Sequence, residues 1–401
     1  MARQSRVIGA EHITGAHRSG RQVLEVLSGD IVTDLARETA ARLGINLVEG
    51  PLERPAVQRV DGASSMMRSL YRRAPRWISP ERGRAAGQAR GPARRISKLG
   101  LIGAGGVGAN IAHLAANGDI ADRIVLCDIV PGLAESVALD LNHASGITGT
   151  RARASGSMEL SAIEGSEVVI VTAGRPRTPG MSRADLIDVN ARVIRSAAEA
   201  IKAHAPQAIA IVVTNPLDEM TVEMLRATEF PRERVLGMAG TLDSSRFRNA
   251  LALAAGVRPA DVEAITLGSH GDEMAPIVSR ARIKGRPLSD HLSPDQIDAC
   301  VRDAITGGGQ VVALRKTGSA TLAPAHASVE LLEHIRGAKA GSVPVSVMLN
   351  GEYGIEDVVL GVPCHLGAGG VLSVEELPLT DDELVQLKQA AEAIRQRLGA
   401  S

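Results

Sequence analysis

Aromatic residues are nearly missing from this 401-residue chain: Tyr71, Trp77, Phe230, Phe247 and Tyr353 are all it has. Its core must therefore be aliphatic, built from Val, Ile, Leu, Ala and Met. Cysteine is scarce as well. Cys127, Cys300 and Cys364 are odd in number and far apart, which argues against a disulfide framework or a zinc site and makes a reducing, cytoplasmic setting the default. No stretch approaches the roughly 18 uninterrupted apolar residues that a membrane helix needs. Nor does the N-terminal segment carry the apolar run of a secretory signal. Net charge is absent too, with 45 basic residues against 45 acidic ones. The balance hides an asymmetry, because residues 1–98 hold 18 Lys/Arg but only 9 Asp/Glu.

What is present divides the chain by composition. Residues 1–61 contain one clear helix, "TDLARETAARLG", with Thr33 as N-cap and Gly44 as stop. Val32, Leu35, Thr39 and Leu43 recur there at helical spacing, a stripe too small to support a fold alone. Residues 62–94 are rich in Gly, Pro, Ser and Arg and read as a basic linker. Beyond them short apolar runs alternate with helical stretches: "KLGLIG" and "ANIAHLAANG", "RIVLCD" and "GLAESVALDLNHA", "EVVIVTAG" and "ADLIDVNARVIRSAAEAIKAHA". This alternation predicts an α/β fold, a doubly wound parallel sheet over 95–240, followed by a mixed α+β region over 241–401. The last helix opens with a capping box of Thr380 and Glu383.

The first strand of that region runs into "GAGGVG" at 103–108. Gly103 permits a tight turn, Gly105 lets a pyrophosphate approach the backbone, and Gly108 allows close helix–strand packing. The phosphates of a dinucleotide would then face the unpaired N–H groups of a helix N-terminus. Asp128 closes the next strand, where a carboxylate accepts from ribose hydroxyls and repels a 2′-phosphate, favouring NAD over NADP. An ordinary strand–helix turn is the plain alternative.

A nicotinamide enzyme that oxidises an alcohol needs a base for the hydroxyl proton, a cation on the carbonyl oxygen, and a clamp for any carboxylate. His270 lies in a turn after the apolar run "EAITLG", and histidine titrates near neutrality. Asp243 and Arg246 lie three residues apart in "TLDSSRFR", on one face of a helix. Asp243 in reach of His270 would fix its tautomer, and Arg246 would meet a substrate carboxylate. Alone, these residues read equally as a turn histidine and a surface ion pair.

Together with "ALDLNHA", "VTAGRPRTPGMSR", "VTNPLDEMT", "GMAGTLDSSRFR", "GSHGDEMAP", "KTGSA" and "NGEYG", the phosphate loop makes residues 96–401 resemble the lactate/malate dehydrogenase family, specifically its lactate-dehydrogenase-like malate dehydrogenase branch. The resemblance implies a Rossmann NAD-binding domain, a substrate domain, and a homodimer or homotetramer. It also implies roles. His270 is the acid/base and Asp243 its partner, Arg246 binds the C1 carboxylate, and Arg183 polarises the C2 oxygen. Asn215 orients substrate and cofactor, and Ser319 is a pocket hydroxyl. Arg177 occupies the position that separates malate from lactate enzymes, where it would neutralise the second carboxylate of a dicarboxylate substrate. The segment 171–183 resembles the family's mobile lid, in which Arg175 has no role assigned. One departure stands out: two aromatics usually follow "KTGSA", and Thr321 and Leu322 stand there instead. These side chains are expected near the substrate, giving a roomier pocket. A lactate- or lactaldehyde-type oxidoreductase is therefore the alternative substrate reading.

The segment "SGDIVTDLARETAARLGINL" resembles an appended targeting segment of bacterial microcompartment enzymes, which would dock a shell or scaffold partner. Under that reading the chain is a cargo component inside a compartment. A disordered basic extension is the alternative for residues 1–94. Glu11, Glu25, Asp30, Asp34 and Glu38 disfavour a mitochondrial transit peptide, and a flexible basic linker would hold nucleic acid only without specificity.

Overall fold

The computed structural model describes residues 7–20, 22–27, 30–50, 93–176, 183–316 and 318–399. The chain divides into two compact units, Met1–Gly87 and Gln88–Ser401. The expected linker up to residue 92, with its "LYRRAPRW" stretch, lies outside the described residues.

The first unit contains more than the single helix expected. β1 (Val7–Ile8) leads to α1 (Ala10–Arg18) and β2 (Val23–Leu27), and the pattern repeats as β3 (Ile31–Val32), α2 (Asp34–Leu43) and β4 (Asn46–Gly50). β1 pairs in parallel with β3, and β2 in parallel with β4. Ile8, Ile13, Val26, Ala36, Ala40 and Ile45 form a small core, so the segment does bury a nucleus of its own. α2 has the expected ends: the Thr33 hydroxyl accepts from the Ala36 N–H at 3.2 Å, and Gly44 is left-handed at φ 66°. Three of the four expected stripe positions face the core, Thr39 buried and Val32 and Leu43 packed against it, but Leu35 does not. Leu35 is 63% exposed, whereas Ala36, Thr39 and Ala40 are buried. Two alanines one turn apart let α1 approach closely, and that geometry decides the face rather than side-chain size.

In the second unit the predicted alternation forms one continuous sheet. Its parallel part comprises β5 (Ile96–Ile102), β6 (Ala121–Cys127), β7 (Arg153–Ser157), β8 (Val168–Val171), β9 (Ile209–Val212) and β10 (Val235–Gly237). The crossovers include α3 (Gly106–Asn117), α4 (Leu133–Thr148), α5 (Arg183–His204) and α6 (Leu217–Thr228). The spatial order β7-β6-β5-β8-β9-β10 is the doubly wound arrangement of a dinucleotide-binding domain, reversing direction beside β5. Every residue of β8 and β9 is buried, which is why these strands read as unbroken apolar runs: helices cover both faces.

After β10 come α7 (Gly240–Ala255), β11 (Val262–Glu263), β12 (Thr266–Gly268), β13 (Met274–Pro276), β14 (Arg282–Ile283), β15 (Arg286–Pro287), α8 (Pro294–Arg315) and α9 (Leu322–Ile335). β16 (Ser342–Asn350), β17 (Glu356–Gly367), β18 (Gly370–Val374) and α10 (Asp381–Gly399) complete the chain. The sheet runs on from β10 through antiparallel β16, β17, β12 and β13, so the mixed region extends the parallel sheet. The joint is tight, with Gly237 opposite Ser346. The capping box of α10 forms as expected: the Thr380 N–H donates to Glu383 at 3.0 Å, and the Glu383 N–H donates to the Thr380 hydroxyl at 3.3 Å. No helix among the described residues is long and apolar enough to cross a membrane.

Candidate active site

The phosphate loop joins β5 to α3 at the sheet's reversal point. Gly103 has φ 109°, and a Cβ there would lie 2.5 Å from the Thr172 hydroxyl oxygen. A Cβ on Gly108 would lie 1.9 Å from the Gly103 carbonyl oxygen, so neither position tolerates a side chain. At Gly105 the space is open, and no side chain caps the first turn of α3. The turn thus presents bare backbone and unpaired N–H groups, the features that a bound pyrophosphate uses. Asp128 stands beside the loop at the end of β6. Its carboxylate accepts from the Ala104 N–H at 2.7 Å and the Val130 N–H at 3.0 Å, which fixes its orientation. These residues fit the NAD expected of them.

Thr321 and Leu322 stand at the start of α9. A Cβ on Gly106 would lie 2.7 Å from the Thr321 methyl, so Thr321 stands over the phosphate loop. Leu322 is 67% exposed. The reason is the placement of α9, whose N-terminal end meets α3 at its own first turn. Ser319 is exposed just before this helix.

The acid/base candidates are brought together across 27 residues of sequence. Asp243, 2% exposed on α7, accepts from His270 Nδ1 at 2.8 Å through one oxygen and from Arg246 Nη1 at 2.9 Å through the other. A carboxylate has no proton to give, so Nδ1 carries the hydrogen and Nε2 is left as the proton acceptor. Burial works against a charge on His270, but the adjacent Asp243 and then Asp218 outweigh it and hold the imidazole pKa above its ordinary value; Arg246 pulls the other way. Gly308 on α8 leaves room for Arg246: a Cβ there would come within 3.2 Å of the guanidinium.

Asn215 is exposed at the strand end after β9. Its carbonyl accepts from Asn190 Nδ2 at 2.6 Å. Asn190 also donates to the Arg175 carbonyl at 3.1 Å and accepts from the Arg175 N–H at 2.7 Å, tying the base of the lid segment to Asn215. The Arg175 side chain is exposed, as expected of a residue without an assigned role. Arg177 lies outside the described residues. Arg183 opens α5, and its backbone alone is described.

Two buried residues escaped sequence reasoning. Asn190 sits within an ordinary helical run, and nothing in its spacing marks it. Asp218 accepts from the His270 N–H at 2.8 Å, the Ser269 hydroxyl at 3.0 Å and the Ser346 hydroxyl at 2.9 Å. Burial pushes its carboxyl pKa up, and the His270 N–H offsets part of the rise. Its only sequence signal is its place in "VTNPLDEMT", three residues past Asn215.

Comparison with known proteins agrees with this fold. The lactate/malate dehydrogenase NAD-binding domain family matches residues 97–237, and the family's α/β C-terminal domain matches 240–400. A malate dehydrogenase of Nostoc punctiforme is 44% identical over 306 residues, 76% of this chain and 93% of that one. One from Caulobacter vibrioides is 42% identical over 304 residues, 75% of this chain and 95% of that one. Among solved structures, Cryptosporidium parvum malate dehydrogenase superposes with a TM-score of 0.74 at 38% identity, covering 77% of this chain and 99% of that one. Cryptosporidium parvum lactate dehydrogenase, solved with lactic acid and NAD, gives 0.73 at 36%, covering 77% and 98%. With a phosphate loop at the sheet's reversal point and a His–Asp–Arg chain beyond it, the protein belongs to the lactate/malate dehydrogenase family.

Proposed function

We propose that the chain interconverts malate and oxaloacetate. The proton and hydride chemistry is carried by Asp243, whose two oxygens hold His270 and Arg246 at once; the choice of malate follows Arg177 and the malate dehydrogenases at 42–44% identity. NAD, when bound, accepts or returns the hydride. In the oxidising direction His270 Nε2 takes the hydroxyl proton, and Asp243 stabilises the resulting imidazolium across the Nδ1 bond. Arg246 holds the C1 carboxylate and Arg183 stabilises negative charge on the C2 oxygen. Asn215 orients the reacting groups, and Ser319 offers a pocket hydroxyl. Gly103, Gly105, Gly108 and Asp128 hold the cofactor. Arg177, carried in by the lid, meets the second carboxylate, and a substrate with a methyl there would leave its charge without a partner. Closure of the lid excludes water from the reacting centre.

Superposition does not separate the two substrate classes, since a malate enzyme and a lactate enzyme superpose almost equally well, although the sequence relatives at 42–44% identity are malate dehydrogenases. Position 177 is therefore the discriminating residue. Steady-state rates with oxaloacetate, pyruvate and lactaldehyde test the reading, and a preference for pyruvate defeats it. Arg177→Gln is expected to lower kcat/KM for oxaloacetate by about 10²-fold or more while pyruvate changes little; equal losses would remove Arg177 from that role. A lactate- or lactaldehyde-type activity is the second reading, motivated by Thr321 and Leu322 standing where the family usually has two aromatics.

The division into an NAD-binding domain over 95–240 and a substrate domain over 241–401, the homodimer or homotetramer, and docking of residues 1–94 on a shell or scaffold partner belong to the same proposal. The separate small core of the first unit supports a docking module more than a passive spacer. Pull-downs with the full chain and with one lacking residues 1–94 test it: equal partner recovery would end the docking reading.

A further inference from the structure

The loop that carries His270 is fastened from beneath by a residue far away in sequence. Arg397, on the last turns of α10, directs its guanidinium in three directions. Nε donates to Glu219 at 2.7 Å, Nη1 to Glu273 at 2.9 Å, and Nη2 to the Ser269 hydroxyl at 3.1 Å. Glu219 is buried in the first turn of α6, next to Asp218. Ser269 and Glu273 flank His270, one on each side. The Ser269 hydroxyl passes its own hydrogen to Asp218, which also accepts the His270 N–H. Both ends of the 269–273 loop are thereby held to α6 through one planar cation.

We propose that Arg397 is a positioning residue for proton transfer: it fixes the 269–273 loop against α6 so that the His270 ring meets Asp243 in the productive orientation. The inference rests on His270 being the acid/base of the proposed reaction. Arginine is the side chain this role needs, because its planar fork places donors on three nitrogens at fixed angles, whereas a lysine ammonium offers its three donors from one freely rotating nitrogen. The charge matters as well as the geometry. Asp243 and Arg246 from α7 and Asp218 from α6 act on His270 directly; Glu219 from α6 and Glu273 from its own loop meet Arg397 from α10, and Asp272 lies between Glu273 and the histidine in that loop. Removing the cation leaves Glu219 buried without its guanidinium partner, and the local potential turns more negative.

Arg397→Met, Arg397→Lys and Ser269→Ala in the full chain test this. The readouts are kcat and KM by NADH absorbance, the pH profile of kcat/KM, NADH affinity by fluorescence, and thermal melting. Arg397→Met is expected to lower kcat about tenfold or more through misplacement of the base, to leave NADH affinity unchanged, and to raise the apparent pKa of the acid/base. Arg397→Lys should return the pKa toward that of the parent while recovering kcat only in part. Ser269→Ala cuts the link to Asp218 without changing charge, and should lower kcat with an unshifted pKa; it decides the matter if Arg397→Met does not fold. A parental kcat and pH profile in Arg397→Met, or in Ser269→Ala when the first cannot be made, would overturn the proposal. So would a loss of kcat that merely tracks lost melting temperature and NADH affinity. His270→Asn separates the two levels: if it abolishes turnover while Arg397→Met changes nothing, the positioning role falls and the acid/base assignment stands. Retained turnover in His270→Asn removes both.

Discussion

Asp243→Asn changes one heavy atom and should nearly abolish turnover. In the parent, one carboxylate oxygen accepts from Arg246 Nη1 at 2.9 Å and the other from His270 Nδ1 at 2.8 Å. An amide has only one oxygen. Arg246 is a permanent donor, so that oxygen must face the guanidinium, and the amide NH₂ is left facing Nδ1. An NH₂ group donates, so Nδ1 becomes an acceptor and the ring proton moves to Nε2, the atom that has to receive the substrate's proton. The negative charge that stabilises the imidazolium is lost as well, and each unit of lowered pKa costs about 1.4 kcal/mol of imidazolium stability. The Asp243 charge is the leading influence that raises His270, so both effects act in the same direction. General acid–base catalysis is worth roughly 10²- to 10⁴-fold, and a comparable loss of kcat is expected. Malate oxidation followed by NADH absorbance between pH 5 and 10 measures it, with NADH fluorescence showing that the cofactor site is intact. Turnover within about tenfold of the parent, with an unshifted pH profile, would refute the reasoning.

Other outcomes follow from the same geometry. Gly108→Ala places a methyl 1.9 Å from the Gly103 carbonyl, so NADH affinity by fluorescence titration should collapse or the protein should fail to fold. Asn190→Ala leaves the Arg175 N–H, its carbonyl and the Asn215 carbonyl unpaired. It should cost about 1–3 kcal/mol of stability by denaturant unfolding and raise KM for oxaloacetate, and unchanged kinetics would detach Asn190 from the site. Glu330 faces His334 and Lys339 on and beside α9; burial pushes its pKa up, but these partners more than offset it and hold the pKa at about 2, below the ordinary 4.5. A depressed carboxylate contributes stability above the ordinary value and loses it as pH falls towards 2. Glu330→Gln should therefore destabilise at pH 7 and show a flatter decline in melting temperature below pH 4.5; parallel curves for the two proteins would remove Glu330 from the acid transition.

Much of the site was legible because its chemistry lies in short, contiguous patterns. "GAGGVG" needs its glycines for contacts within the loop and the strand beside it, and Asp243 and Arg246 are neighbours by helical spacing alone. The caps of α2 and α10 are likewise local events. Asn190, Asp218 and Arg397 were not legible because their partners come from other elements. Asp218 joins groups 52 and 128 residues away, and Arg397 reaches Glu219 across 178. Nothing in spacing registers such a contact; it exists only after the sheet has formed. The strands and first helix of the first unit were missed for a different reason. Its strands run from two to five residues, too short for an alternating apolar pattern to rise above the surrounding polarity.

The junction between β10 and β16 has an implication for recombination. Ser346 pairs there with Gly237, and its hydroxyl holds Asp218, which in turn carries the backbone of His270. A hybrid joined near residue 238 would therefore take the carboxylate from one ancestor and all of its hydrogen-bond donors from the other. Matching those few polar atoms, rather than overall kinship, should decide which hybrids turn over.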